Sequence, residues 1–575
     1  MTGLSTSRSL TRLSFLVIVF LILLAINGSA GAAHPPKSET PTALLVEARA
    51  AATSIDDPAE RSAALNSIVV AQIAIDPPGA RETLKMFPKL PNKLNYLTAL
   101  AAAYAKTGNI AETERMYAEI VLEDQSSRAG KLAAANALGQ IAIAYATKGN
   151  IEEAFRTLAR LKDRTKEEPP AIVVDATANL AEAQVKQGDI RGAVQTASSI
   201  AGEYPYALMK IVGDRVRNGK MQEAQNIVAG LDDGPRRYAQ WGIVQAEIQQ
   251  DRPRDAQVTA SAIKPGHAKA SALLELASYH LQHGTKPLAL VLLQEAETSA
   301  RATVNTWTRA DILWHIAAEM ATAGDASRAI SIAKSIEKDG HRNAAIYDIA
   351  KAQAKAGDIA GAFNSASFLK LTPQTIALWV SQYDMAISDI LVEMVKAGKG
   401  TEAKDTAAKF QDTDISRMWL YSGIAMAQAD IGNIKDAEAA LALAETKEQR
   451  SARRKEFLQV KEKVRLSLNP AEETRLQELL KIDFEIQRGL DAIAKGLARK
   501  GNLNDAMAVA NELNDPAHRL DVIKELCTLH VLASHNEHTL RWARNLSRSS
   551  EKVFALVGIA TALPQEADKR KPKPA

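Results

Sequence analysis

The chain has 575 residues, too many for one compact core, which predicts either several domains or an open-ended array of repeats. Aromatic residues make up only 5% of the chain and alanine is abundant, a composition that favours closely packed short helices over β-sheets. The 71 basic and 67 acidic side chains leave a formal net charge of +4, and this balance argues against nucleic acid as a partner.

Residues 1–32 have the pattern of a secretory signal peptide. Arg8 and Arg12 precede an apolar stretch from Leu13 to Ile26, and a run of small residues follows. The apolar stretch is short for a membrane span, and Ala30-x-Ala32 offers a cleavage point, so we expect removal after Ala32. An uncleaved N-terminal anchor is the alternative. Both readings predict an exported protein, periplasmic or extracellular, that contacts a membrane only if the segment is uncleaved.

A glycine followed five residues later by an alanine recurs through the chain at intervals of about 34 residues. The pattern follows a predicted flexible lead and first helix at residues 33–60 and occupies residues 61–445. The clearest copies are Gly149 with Ala154, Gly188 with Ala193, Gly219 with Ala224, Gly284 with Ala289, Gly324 with Ala329, Gly357 with Ala362, Gly398 with Ala403, Gly432 with Ala437 and Gly501 with Ala506. Gly108, Asp251 and Ser534 begin degenerate copies.

Aligning the copies on this repeat glycine, or on the residue in its place, shows the pattern of a helix pair. Leu or Ile stands eight residues before it in all twelve copies, and the next position is mostly small, which predicts one buried face of a first helix, helix A. In most copies a large apolar residue stands twelve positions after the glycine, which predicts the buried face of a second helix, helix B. The glycine suits the left-handed end of helix A, and the Asn or Asp that often follows it suits the cap of helix B.

These residues resemble the tetratricopeptide repeat family. Ala142, Tyr145, Gly149 and Ala154 stand at the spacing of that family, although other copies have different residues at the tyrosine position. The resemblance implies an all-α fold, an α-solenoid of about twelve or thirteen antiparallel helix pairs in a tetratricopeptide-like superhelix. It also implies that protein or peptide partners bind in a concave groove lined by helix A.

The regular pattern is interrupted once and then resumes. Residues 446–486 predict a charged helical insert or a degenerate repeat, with long helices broken near Asn469-Pro470. Residues 487–563 resume the repeats, and the basic, proline-rich residues 564–575 predict a disordered tail.

No catalytic constellation, metal site or cofactor site is predicted. Cys527, His530, His535 and His538 have metal-ligand spacing, but Cys527 falls in the small core column and His530 in the tyrosine column, which favours structural roles. The chain has no glycine-rich phosphate loop, no G-x-S-x-G motif and no H-E-x-x-H motif.

The predicted peptide-binding residues lie ten or thirteen positions before the repeat glycine. Large side chains concentrate there in five consecutive copies, and we call them the aromatic strip: Tyr206, Met209, Tyr238, Trp241, Leu274, Trp314 and Tyr347. Lys186, Arg217 and Lys355, two positions before the glycine, are the predicted cationic flanks. The alternative is that the rings of the strip pack between adjacent repeats.

The sequence therefore predicts an exported, non-catalytic scaffold that binds proteins or peptides. One alternative is a structural or assembly subunit of the cell envelope. Another is a glycan-active hydrolase built on the helical array, and a buried polar cluster in a deep pocket would distinguish it from a scaffold.

Overall fold

The computed structural model describes residues 40–87, 89–123, 127–164, 171–199, 206–369, 382–410, 414–466 and 470–563. These residues form 29 helices and no strand. Successive helices pack against one another in pairs along the chain. The predicted fold class, an all-α solenoid of antiparallel helix pairs, is confirmed.

The helices follow the chain in short steps. The first fifteen are α1 (Pro41–Thr53), α2 (Pro58–Ile75), α3 (Pro77–Met86), α4 (Lys93–Lys106), α5 (Ile110–Glu123), α6 (Arg128–Thr147), α7 (Ile151–Arg164), α8 (Ala171–Lys186), α9 (Ile190–Ser198), α10 (Tyr206–Arg217), α11 (Met221–Ala229), α12 (Asp233–Gln249), α13 (Pro253–Ala262), α14 (His267–Gln282) and α15 (Lys286–Arg301). The remaining helices are α16 (Thr306–Ala323), α17 (Ala326–Ser335), α18 (Asp339–Lys355), α19 (Ile359–Ala366), α20 (Gln382–Lys396), α21 (Gly400–Ala407), α22 (Asp414–Asp430), α23 (Ile434–Ala444), α24 (Lys447–Leu466), α25 (Pro470–Arg499), α26 (Leu503–Ala510), α27 (Pro516–Leu532), α28 (Asn536–Arg544) and α29 (Ser549–Ala562). The even-numbered helices from α2 to α22 are helix A of their pairs.

The turn between helix A and helix B is the one that the repeat glycine predicts. All ten repeat glycines, Gly108 included, have φ between 69° and 106°, the left-handed region that glycine enters without steric cost. Asp251 and Ser534 keep the same turn in their degenerate copies, with φ of 58° and 70°. The carboxylates of Asp189 and Asp358 cap the following helix B, each accepting a backbone N–H bond of 2.9 Å.

The apolar column eight residues before the repeat glycine is buried throughout. Its twelve Leu and Ile side chains are all at most 4% exposed. Adjacent A helices approach closely where small residues allow it: a Cβ on Gly242 of α12 would collide with the backbone of Met209 on α10. Each helix pair therefore contributes its own layer of buried apolar side chains.

The described residues fall into two compact units. The first comprises those up to residue 104, residues 115–133 and those from residue 490 onward, and the second comprises residues 105–114 and 134–489. In the second unit, the charged stretch contains α24 and the greater part of α25. Arg453 of α24 is buried and donates hydrogen bonds of 2.8 and 2.9 Å to the Glu445 carboxylate and one of 2.8 Å to Asp483 of α25.

In the first unit, the first and last described helices pack against each other. α29 packs on α27 and α28 in the way that a helix A packs on the preceding helix pair. α1 packs on α29 in the position that helix B of that last pair would occupy. Arg544 donates hydrogen bonds of 3.1 and 2.7 Å to the Glu47 carboxylate, and the hydroxyl oxygens of Ser54 and Ser549 are 2.9 Å apart. We call the pair formed by α29 and α1 the split repeat.

Both predicted terminal segments, the signal peptide at 1–32 and the basic tail at 564–575, lie outside the described residues. Among the residues that are described, no helix is both long and apolar enough to cross a membrane.

Candidate binding surface on the A helices

The aromatic strip is divided between buried and accessible side chains. Met209 and Trp241 are only 4% and 7% exposed, so both pack between α10, α12 and their neighbours and present little surface to a partner. Tyr238, Leu274, Trp314 and Tyr347 are half-buried. Tyr206 is the first residue of α10, and its side chain lies outside the described atoms.

Two rings of the strip are tied to the next helix A. The Trp314 Nε1–H donates to Asp348 Oδ2 over 2.7 Å, which joins α16 to α18. The Tyr347 hydroxyl donates to Asp389 and joins α18 to α20. Burial raises the pKa of Tyr347 well above its usual value, and the Asp389 carboxylate raises it further. These rings connect adjacent repeats, as the alternative interpretation of the strip expects.

The predicted cationic flanks lie at the surface, and two of them have acidic or polar neighbours. Lys186 Nζ is 3.0 Å from Glu182 Oε1, and Arg217 donates to Gln249 Oε1 over 3.2 Å. Lys355 is exposed at the end of α18. A partner would therefore meet a partly neutralised cation at Lys186 and a guanidinium already engaged in a hydrogen bond at Arg217.

A cavity in the second unit opens between three consecutive A helices. Its volume is about 480 Å³, within the ~300–1,000 Å³ that is usual for ligand pockets. Its walls come from α12, α14 and α16: Gln245, Ile248, Gln249, Leu274, Glu275, Ser278, Tyr279, Gln282, His315, Ala318 and Glu319. Leu274 is the only member of the aromatic strip among them, so the cavity and the strip are adjacent but different surfaces.

Two carboxylates are held by hydrogen bonds in the wall of this cavity. Glu275 Oε1 accepts from Gln245 Nε2 over 2.9 Å, and Glu319 Oε1 accepts from the Ser278 hydroxyl over 2.7 Å. Burial raises the pKa of Glu275, and the hydrogen bond from Gln245 opposes that shift. The wall also carries the His315 ring on α16, stacked on Trp314 with 4.8 Å between ring centroids. The cavity is thus polar, with fixed acceptors and one accessible imidazole.

Sequence reasoning missed most of these residues because it searched helix A for large side chains and, two positions before the glycine, for cations only. Ser278 and Gln245 stand six positions before the repeat glycine or the residue in its place, and Gln249 and Gln282 stand two positions before it. Spacings of four residues place these positions on the same helix face as Leu274 and the aromatic strip. The helix period itself was therefore the signal that could have found them.

The polar residues at the tyrosine position also have a role that the sequence did not predict. Gln353 donates to the capping carboxylate of Asp358 over 3.0 Å and accepts from the Ser365 hydroxyl over 2.5 Å. Gln184 makes the same pair of bonds with Asp189 and Thr196. These side chains join the end of helix A to both the cap and the inner face of helix B.

The residues with metal-ligand spacing lie in the first unit. Cys527 is fully buried, which raises the pKa of its thiol, and His530 Nδ1 is 2.6 Å from the Thr539 hydroxyl. The His535 ring stacks on His530 at 4.6 Å. Within the described part of the chain, no three His, Cys, Asp or Glu side chains are grouped so that they could hold a metal ion.

Fold and surface together define the class: an all-α protein of repeated helix pairs whose A helices line a polar cavity. No protein-family model matches the chain. No curated protein matches it either.

Solved structures of helical proteins match at low similarity. The Naa15/Naa10 complex bound to HypK-THB is 14% identical, with a TM-score of 0.24, over 92% of this chain and 94% of that chain. An IFIT1 monomeric mutant with Gppp-AAAA is 13% identical, with a TM-score of 0.21, over 84% and 99%. Ton1535 from Thermococcus onnurineus is 18% identical, with a TM-score of 0.21, over 61% and 98%. Similarities this low carry no argument about function.

Proposed function

We propose that this chain is an exported, non-catalytic scaffold of the tetratricopeptide-like class that binds a protein or peptide on its A-helix face. The observation that carries the proposal is the cavity of about 480 Å³ between α12, α14 and α16. Export rests on the signal-like residues 1–32.

A peptide suits this surface because of the amide side chains on it. Gln249 and Gln282 occupy the same position in adjacent repeats, and both are exposed at the cavity wall. A primary amide offers two donors and an acceptor, which complement the N–H and C=O groups of an extended backbone. The repeat spacing therefore presents matching hydrogen-bonding groups along the direction in which a peptide would lie.

The binding test uses peptides selected from a random display library on the immobilised protein. The double variant His315→Ala/Gln282→Ala removes two accessible wall side chains, and we expect it to weaken the selected peptides at least tenfold in calorimetric titration. Val291→Ala on α15 is the control, since this valine is 58% exposed and lies on a helix B. Equal loss in the control, or no loss in the double variant, would refute the assignment of the surface.

A second candidate, the glycan-active hydrolase, is favoured by one observation. Glu275 and Glu319 line the same cavity, and the raised pKa of Glu275 is typical of a general acid. The scaffold proposal expects no new reducing ends when the protein is incubated with cell-wall glycan. Release that disappears in Glu275→Gln would establish the hydrolase in its place.

A further inference from the structure

The two carboxylates of the cavity differ from several other acidic side chains on the A helices of the second unit. Glu393 pairs with Lys396 at 2.7 Å, Asp389 with Lys351 at 2.9 Å, and Glu182 with Lys186. Among the described residues, Glu275 and Glu319 form no ion pair with Lys or Arg, and their hydrogen-bond partners, Gln245 and Trp241 for Glu275 and Ser278 for Glu319, are neutral.

The cavity itself supplies no positive charge. None of its eleven wall residues is Lys or Arg, and His315 is the only one that can become cationic. A carboxylate has about four acceptor sites, so each of these groups can accept further donors besides its hydrogen bonds within the protein. The raised pKa of Glu275 agrees with a carboxylate that is partly buried without a compensating cation.

Charge decides which ligand fits such a cavity. An anionic group would be repelled by both carboxylates, and a neutral group would leave them uncompensated in a partly buried wall. A guanidinium or ammonium group supplies the missing charge together with three to five N–H donors. Its aliphatic stem can lie along Leu274, Ile248 and the Tyr279 ring, which form the apolar part of the wall.

We propose that the cavity between α12, α14 and α16 binds a basic side chain, arginine or lysine, of a polypeptide partner, with Glu275 and Glu319 as the acceptors. This inference rests on the proposed function, because it names the side chain by which the partner would be recognised. Leu274 is the only residue of the aromatic strip that it places in contact with the ligand.

The test uses N-acetyl-arginine amide as the probe and N-acetyl-citrulline amide as its neutral isostere. We expect the arginine probe to bind the full-length protein at low ionic strength, with the citrulline probe at least tenfold weaker. Glu275→Gln and Glu319→Gln should each weaken the arginine probe at least tenfold, whereas Glu393→Gln, on α20 and outside the cavity, should bind it normally. Added salt should weaken the binding, because the attraction is electrostatic.

A second variant tests the proposal even if the replacement of Glu275 disrupts folding. Gln282→Lys places an ammonium group at the exposed wall of the cavity without removing a buried group, and we expect it to abolish binding of the arginine probe while leaving helicity unchanged. Equal binding of the two probes, no binding of either, or normal binding by Gln282→Lys would overturn the proposal.

The selected peptides separate this inference from the proposed function. Peptides that lack Arg and Lys, yet lose affinity in His315→Ala/Gln282→Ala, would leave the scaffold standing and overturn the basic side chain. If Arg-containing peptides bind no more tightly than the capped arginine, the cavity takes small free cations, and the proposed polypeptide partner is wrong.

Discussion

Single polar residues at the tyrosine position show how this chain substitutes hydrogen bonds for an aromatic ring. Gln353 is 6% exposed and Ser365 is 3% exposed, so both ends of their hydrogen bond are removed from water. A buried polar group that loses its hydrogen-bond partner is still removed from water, and no hydrogen bond then offsets the free-energy cost of that desolvation. This makes the pair a sensitive test of the role assigned to the column.

We expect Gln353→Met to lower the free energy of unfolding by about 1–3 kcal/mol, because it leaves the Ser365 hydroxyl without that acceptor. The double variant Gln353→Met/Ser365→Ala should lose less free energy of unfolding than the two single variants together, because both hydrogen-bonding partners are then removed. Urea unfolding of the three variants measures this coupling. The exposed Gln222→Met should change stability by less than about 0.5 kcal/mol. Strict additivity of the two changes would contradict the assigned bond.

The burial of Met209 and Trp241 marks a limit of sequence reasoning at this scale. Periodicity predicts which face of helix A points inward, and the Leu and Ile column followed that prediction. How deeply the neighbouring position is buried depends on the approach of the next helix A, which is close here because Gly242 has no side chain. That distance is a property of two helices and cannot be seen in either one alone.

At the scale of the element, the small column of helix A sets how closely the helices pack. Ala317 on α16 is fully buried, and it stands beside Ile316 of the Leu and Ile column. The column is mostly alanine, so the neighbouring helix occupies the space that a larger side chain would need.

Ala317→Leu should therefore overpack α16 and lower the free energy of unfolding by about 1–3 kcal/mol. Because each repeat contacts mainly its neighbours, hydrogen exchange should accelerate most in α14 to α18. Ala302→Leu, at the exposed end of α15, is the matched control and should leave both measurements unchanged. Unchanged exchange and unfolding in Ala317→Leu would contradict close packing of this column.

The helix pairs and their turns could be predicted from the sequence because glycine, cap and apolar column all lie within about 25 residues of one another. The cavity was harder to predict. Glu275, Ser278 and Glu319 are unremarkable on their own helices, and they form a site only because three consecutive repeats bring them to one wall.

At the scale of the whole molecule, the split repeat joins residues from the two ends of the described chain. The Arg544 and Glu47 side chains are 41% and 33% exposed, so their ion pair adds little stability by itself. The buried faces of α1 and α29, which include Leu45 and Leu556, provide most of the attachment. No local pattern could predict this contact, because Ser54 and Ser549 are 495 positions apart.

The variant Ser54→Cys/Ser549→Cys should form an intrachain disulfide under mild oxidation, because the two hydroxyl oxygens are 2.9 Å apart. Closing so long a loop should stabilise the protein by about 2–4 kcal/mol relative to its reduced form. Non-reducing electrophoresis and intact mass detect the bond. Ser54→Cys alone should form no intrachain bond, since Cys527 is fully buried. Exclusively intermolecular disulfides in the double variant would contradict the split repeat.

The split repeat also has a consequence for the order of events during synthesis. α1 is made before every other described helix, yet the helix that pairs with it is made 495 residues later, a delay of about 25–100 s at ~5–20 residues per second. During that interval α1 can pack on α2 but lacks its packing partner α29. Each inner repeat meets its partner within seconds, so the repeat containing the first helix is the last to be completed.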